Sequence, residues 1–349
     1  MTILTVIAAI FGFGVIIMLH EAGHFFVAKK CGIRVLEFSI GMGPALISKK
    51  KGETKYSLRL FPIGGYCAME GEDENSDDPR AFRKQAVWKR MLVTVAGAAM
   101  NLILGFLLIF MFTCIDSPLI STTLAEFRVS EEGKSISTSS EWLQKNDRFI
   151  EINGMKIFSW QDISYALQND DCDTFKVTVE REGQCLTFDD VTFLNTETNG
   201  LLDFYLARDE KTPLTILSHT CNYFVTTARL IWVSLGDLLS GKYGFHDLSG
   251  VVGIIDATTT VVNMSETFRE KLITMLDILA FITINVGIFN LIPFPALDGG
   301  RLVFLIVEAI RRKPCPARVE GMIHFVGLAA LMLLMIAVTF QDISKLFTR

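Results

Sequence analysis

Four uncharged, predominantly apolar runs dominate this 349-residue chain, at 1–19, 91–115, 278–297 and 321–341. A helix needs roughly 20 such residues to cross the hydrocarbon core of a bilayer. The pattern therefore predicts a polytopic α-helical membrane protein with four spans, at 1–30, 89–115, 272–300 and 319–342. So much concentrated apolar surface excludes a disordered chain. The first run has no basic leading segment, and His20 and Glu21 follow it where a signal peptide would carry small residues, so it reads as a retained span. A fifth stretch, 213–239, is interrupted by His219, Arg229 and Asp237. It reads as an amphipathic helix lying on the membrane or on a soluble domain, within a membrane-associated segment 212–271.

Lys and Arg in the loops set the expected orientation. Segment 29–90 holds 13 Lys and Arg against 8 Asp and Glu, and 301–320 holds 5 against 2. Segment 116–271 holds 13 against 24, a local net of −11. The loops 31–88 and 301–318 should be cytoplasmic; the N-terminus, an inserted domain at 116–211 and the tail 343–349 should lie outside. The net charge of −5 gives no support to nucleic-acid binding. Seven scattered Cys without a Cys-x-x-Cys pair exclude a disulfide scaffold or zinc knuckle. Cys172, Cys185 and Cys221, in the outer segment, read as free or incidental thiols.

Chemistry enters where polar residues break the apolar runs, because unpaired polar groups are costly there. The first run ends in His20-Glu21-Ala22-Gly23-His24. Residues four apart share a helix face, so both imidazoles can reach one metal ion. Glu21 sits beside them, placed to take a proton from a water activated at the metal. Positions 27 and 30 are Val and Lys, which excludes the zincin pattern with a third His downstream. Two distant candidates for a third ligand remain. His324 lies near the start of the fourth span, where a lone His is usually interfacial. Asp298 closes Asn290-Leu-Ile-Pro-Phe-Pro-Ala-Leu-Asp298-Gly-Gly300, in which Pro293 and Pro295 should unwind the third helix. Broken backbone at membrane depth is tolerated where it lines a cavity, so Asp298 fits a ligand better than His324.

The pairing of these two motifs resembles the site-2 protease family of zinc intramembrane metalloproteases, and within it the bacterial regulator-of-sigma branch. The likeness extends to Glu37-Phe-Ser-Ile-Gly-Met-Gly-Pro44, to Tyr56-Ser-Leu-Arg-Leu-Phe-Pro-Ile-Gly-Gly-Tyr66 and to Glu70-Gly-Glu-Asp73. The resemblance implies that His20, His24 and Asp298 bind Zn2+, that Glu21 is the general base and that Asn290 contacts substrate. It implies a multi-pass protein of the bacterial cell membrane with its active site toward the cytoplasm. The implied substrates are single-span membrane proteins such as anti-sigma factors and signal-peptide remnants. Ala98 and Val251 stand where the family usually has Pro, which puts local backbone shape in question rather than the metal ligands.

Between the second and third spans, turn, strand, Asn-Gly turn, strand, a helix near 160–168 and alternating 175–181 resemble a circularly permuted PDZ domain over about 125–206. Such a domain binds an extended peptide or free C-terminus at a sheet edge; the competing reading is a size filter that binds nothing. The Gly-punctuated segment 34–66 reads as a membrane-associated β-hairpin beside the active site. Its edge near 56–60 is then the place to hold an unwound substrate segment. Two other readings of function are a membrane-anchored protease acting on juxtamembrane or soluble segments, and a PDZ adaptor with a vestigial metal site.

Overall fold

The computed structural model describes residues 3–72, 74, 76–115, 119–128, 137–168, 173–193, 203–242, 244, 250–265 and 267–348. Cys172, Asp73, Leu248 and Ser249 lie outside them. Two compact units emerge, one from residues 1–108 and 231–349, the other from 109–230.

The first unit opens with α1 (Ile3–Lys30). The long strands β1 (Val35–Lys51) and β2 (Thr54–Met69) follow, joined at Gly52, whose φ of +64 suits a glycine. Both strands bend. Residues 35–40 pair with 65–69 on one edge and run alongside 55–58 on the other, while 45–51 fold back on 54–59. Around the bends of the two strands Met42, Leu46, Ile47, Leu58, Leu60 and Phe61 are exposed. Beside these apolar side chains lies a polar network: Arg59 donates to Ser39 Oγ, to the Gly43 carbonyl and to Glu37. Burial would raise the Glu37 carboxyl, but hydrogen bonds from Ser57, Arg59 and Tyr66 outweigh it and hold the group below its ordinary value.

Helix α2 (Val87–Ile115) begins in this unit. It runs unbroken through Ala98, where the resemblance had put backbone shape in question. The unit resumes near the end of α4 (Pro213–Ser240) and continues with α5 (Val251–Met264), α6 (Phe268–Leu291), α7 (Asp298–Arg311) and α8 (Ala317–Thr348). A capping box of Thr267 and Glu270 starts α6, and Pro293 stops it. Asp342 near the end of α8 accepts from the amides of Gly250 and Gly253 at 2.9 and 2.8 Å, capping α5. Among the described residues four helices are long and apolar enough to span a membrane: Ile7–Lys30, Val87–Ile115, Phe268–Leu291 and Ala317–Lys345. Helices suit that setting because they satisfy their backbone internally. On α8 the apolar side chains Phe325, Leu333 and Phe340 stand exposed, as a lipid-facing helix requires.

One expectation changes here. The third span does not run to residue 300 with Asp298 at its end. It stops at Leu291, and Asp298 opens a separate helix, so most of the expected loop 301–318 is α7. The twin prolines break the run as anticipated, but the chain turns and restarts as an amphipathic helix.

In the second unit, β3 (Leu119–Phe127), β4 (Arg148–Ile152), β5 (Met155–Lys156), β6 (Phe175–Arg181), β7 (Gln184–Val191) and β8 (Phe204–Asp209) form an antiparallel sheet ordered β7-β6-β4-β3-β8, with β5 on β4. The expected Asn-Gly turn joins β4 to β5, with Asn153 and Gly154 at φ +46 and +82. Helix α3 (Trp160–Gln168) packs on this sheet around Phe149, Ile152, Ile163, Val177 and Phe204. The first part of α4 also belongs to this unit, and the residues that interrupted its apolar run explain why. His219 pairs with Asp209 at 2.8 Å, and Arg229 with buried Asp162 at 2.5 Å. Asp162 also accepts from the amides of Phe158 and Ser159 and from Thr226 Oγ1. Among the described residues Cys185 and Cys221 are unpaired.

Candidate metal centre

His20 and His24 lie one turn apart on α1, each 8% exposed, and Asp298 opens α7, 274 residues further along the chain. The three donor atoms converge. His20 Nε2 and His24 Nε2 are 3.2 Å apart, and Asp298 Oδ2 lies 3.2 Å from the first and 3.3 Å from the second. Among the described residues this is the one His, Cys, Asp or Glu cluster close enough to share an ion.

The arrangement fits a metal on two grounds. Three donors about 2.0–2.1 Å from a tetrahedral zinc stand about 3.3 Å from one another, which is the spacing seen. Further, His24 Nδ1 donates to the Val93 carbonyl at 2.8 Å, so its Nε2 presents a lone pair. That lone pair faces a buried carboxylate oxygen that has no hydrogen-bond partner. Leaving such a charge unpaired costs several kcal/mol; a cation among the donors removes the cost.

Helix α2 makes the approach of these groups possible. At the crossing, a Cβ on Gly23 would lie 2.3 Å from the Ala96 carbonyl oxygen, so α1 and α2 meet backbone to backbone. Gly97 follows directly, and its missing side chain leaves room for the imidazoles. One turn on, fully buried Asn101 places Nδ2 3.3 Å from His20 Nδ1, while its Oδ1 has no partner. With Nε2 turned to a metal, Nδ1 carries the proton and needs an acceptor. The amide supplies one by presenting Oδ1, its two ends being alike in shape. Neither Gly97 nor Asn101 was anticipated from the sequence. The signal available was an amide in an uncharged run, flanked four residues away on each side by Gly97 and Gly105. Outer partners of metal-bound His are worth 10–100-fold in affinity. The near-isosteric Asn101→Leu should thus weaken zinc binding about 10–100-fold in a chelator competition, without harming the apolar run.

A cavity of about 400 Å3 holds the centre. Glu21, Asn290, Arg301 and residues 66–69 of β2 line it along with the three donors. The edge expected near 56–60 is therefore displaced: the later part of β2 reaches the centre, because Gly65 packs against Glu21 and Ile17. The Cys67 amide hydrogen-bonds Glu21, and the Met69 amide donates to Glu72 at 3.3 Å. Burial, with the nearby Glu21, pushes the Cys67 thiol up to about 12, so it does not offer a thiolate. His324 is absent from this wall. Ion pairs tie the surrounding elements together: Arg301 with Glu72, Arg83 with Glu320 at 2.7 Å, and Arg90 with Glu308 at 2.5 Å.

Three donors able to hold a metal ion and an acidic side chain in one cavity, with both histidines and Glu21 on a span-length helix, point to the class: a metal-dependent hydrolase that is a multi-pass membrane protein. Comparison with known proteins makes it definite. The sequence profile of peptidase family M50 matches residues 8–334. The regulator of sigma-W protease RasP of Bacillus subtilis is 31% identical over 98% of this chain and 99% of its own length. The zinc metalloprotease RasP of Bacillus licheniformis is likewise 31% identical, over the same shares of both chains. This chain belongs to peptidase family M50, the site-2 proteases, with zinc as its cofactor.

Proposed function

We propose that His20, His24 and Asp298 hold the zinc ion, that Glu21 is the general base, and that the chain hydrolyses peptide bonds in the transmembrane segments of single-span membrane proteins. The observation that carries this reading is the mutual 3.2–3.3 Å spacing of three donors from span-length α1 and from α7. Zinc supplies Lewis-acid polarisation of the scissile carbonyl and acidifies the attacking water. Glu21 takes the proton of that water and passes it to the leaving amine nitrogen. A helical substrate span hides its peptide bonds and must unwind first. The unwound segment adds to the edge of β2 at 66–69 by main-chain hydrogen bonds, and Asn290 contacts it across the cavity.

The excess of Lys and Arg in 29–90 and 301–320 supports an orientation with this face toward the cytoplasm of a bacterial cell and both termini outside. The B. subtilis relative is named for sigma-W regulation; on that ground anti-sigma factors are the first substrate class proposed here, and signal-peptide remnants, which the family resemblance implies, are the second. The second unit, with its sheet edge and α3, is the PDZ-like domain that recognises or filters the outer parts of substrates.

Purified full-length chain in detergent, given a single-span model substrate, tests the reading. Wild type should bind one zinc per chain and cut inside the span. Asp298→Ala should lose both zinc and cleavage. Full zinc occupancy in Asp298→Ala would remove the ligand assignment, and cleavage confined to soluble flanks would favour a juxtamembrane protease.

A further inference from the structure

Asp298 reaches the histidines from a loop that another helix holds in an unfavourable conformation. Ala296, two residues earlier, has φ +77, the left-handed region that L-residues other than Asn and Asp rarely enter. Its backbone N–H donates to His324 Nδ1 on α8 at 2.9 Å. One turn further along α8, a Cβ on Gly327 would come within 2.4 Å of the Pro295 Cβ and 2.5 Å of its carbonyl oxygen. Positions 324 and 327 share a helix face, so α8 grips two consecutive residues of the loop. The Phe304 ring of α7, 5.6 Å from the imidazole, packs beside it.

We propose that His324 is a positioning residue for the third metal donor: Nδ1 anchors the Ala296 amide and so fixes the backbone that aims Asp298 Oδ2 at His20 and His24. The inference rests on the reading of Asp298 as a ligand. Direct ligation by His324 is set aside by geometry. It stands outside the donor cluster and lines a second cavity, of about 420 Å3, on the far side of Ala296 and Arg301. Gly299 and Gly300 pack the start of α7 against the backbone of Leu291, Ile292, Phe294 and Pro295. Phe294 and Leu297 donate to carbonyls within the loop, and α7 starts without a side-chain cap, with Leu297 in the capping place. The Ala296 amide hydrogen-bonds the loop to α8, beside the close contact of Pro295 with Gly327. Released, Ala296 relaxes toward negative φ, and the chain swings immediately before Asp298.

The test is zinc affinity by chelator competition on the folded full-length chain in detergent, with the melting temperature of the metal-free protein read alongside. The variants are His324→Leu, His324→Asn, His324→Gln and Asp298→Ala. Leu removes the acceptor and should weaken zinc binding about 10–100-fold, the scale of outer-shell partners of metal ligands. Asn places its Oδ1 where Nδ1 stood and should bind zinc close to wild type; Gln carries its amide one bond further out and should not. Adding Ala296→Gly to His324→Leu should recover part of the loss, because glycine adopts φ +77 without strain. A merely structural role would lower the melting temperature and leave the affinity of the folded protein alone. Wild-type affinity in His324→Leu, with zinc lost in Asp298→Ala, overturns the inference. Should His324→Leu fail to fold, equal affinities in the Asn and Gln variants overturn it instead. Zinc retained in Asp298→Ala overturns the ligand reading rather than this one.

Discussion

Glu21→Gln is expected to keep its zinc and lose peptide-bond cleavage. Glutamine has the shape of glutamate, and its amide oxygen can still accept the hydrogen bond from the Cys67 amide. The packing of Gly65 against the side chain of residue 21 is therefore kept. What glutamine cannot do is take a proton from water and return it to the leaving nitrogen. A positioned acid–base group contributes about 10²–10⁴-fold, and here one carboxylate serves two transfers, so the loss should fall toward the upper end. The measurement is turnover of a single-span substrate together with zinc stoichiometry on the same sample. Turnover within about tenfold of wild type, with zinc intact, would show that another group moves the protons.

The residues that local chemistry determines were legible in the sequence. The five-residue motif on α1 needs only the 3.6-residue helical period, and it is where expected. The break before Asp298 was legible because prolines in an apolar run must open the helix. In the second unit, α3 at Trp160–Gln168 and β6 at Phe175–Arg181 match the expected bounds, since turn residues and alternation mark them. What escaped depends on partners remote in sequence. Residues 301–311 looked like part of a loop because Arg301, Glu308 and Arg311 break the apolar pattern. Two of these charges are matched by Glu72 and Arg90, more than 200 residues away. Likewise, no property of residues 66–69 alone says that Glu21 will dock on that part of β2 rather than on 56–60. His324 was weighed as a ligand, and its contact with the Ala296 amide could not be read from a lone histidine near a helix start.

Gly97 gives the sharpest test of where the ion sits. By helix propensity alone, Gly97→Ala should stabilise α2 by about 1 kcal/mol. Packing predicts the reverse for function. A Cβ there would lie 2.3 Å from His24 Nε2, 2.7 Å from His20 Cε1 and 2.8 Å from His20 Nε2, where the three donors converge. The methyl could be accommodated only by sliding α1 off α2. That movement is opposed by the His24–Val93 hydrogen bond and by the backbone contact at Gly23. The methyl therefore competes with the ion for one space, and Gly97→Ala should fall to background zinc and background cleavage while still inserting and folding. Gly236→Ala on α4, where the added Cβ meets nothing within 4 Å, is the matched control and should leave both unchanged. If Gly97→Ala binds zinc as wild type does, the ion does not lie between His20, His24 and Asp298.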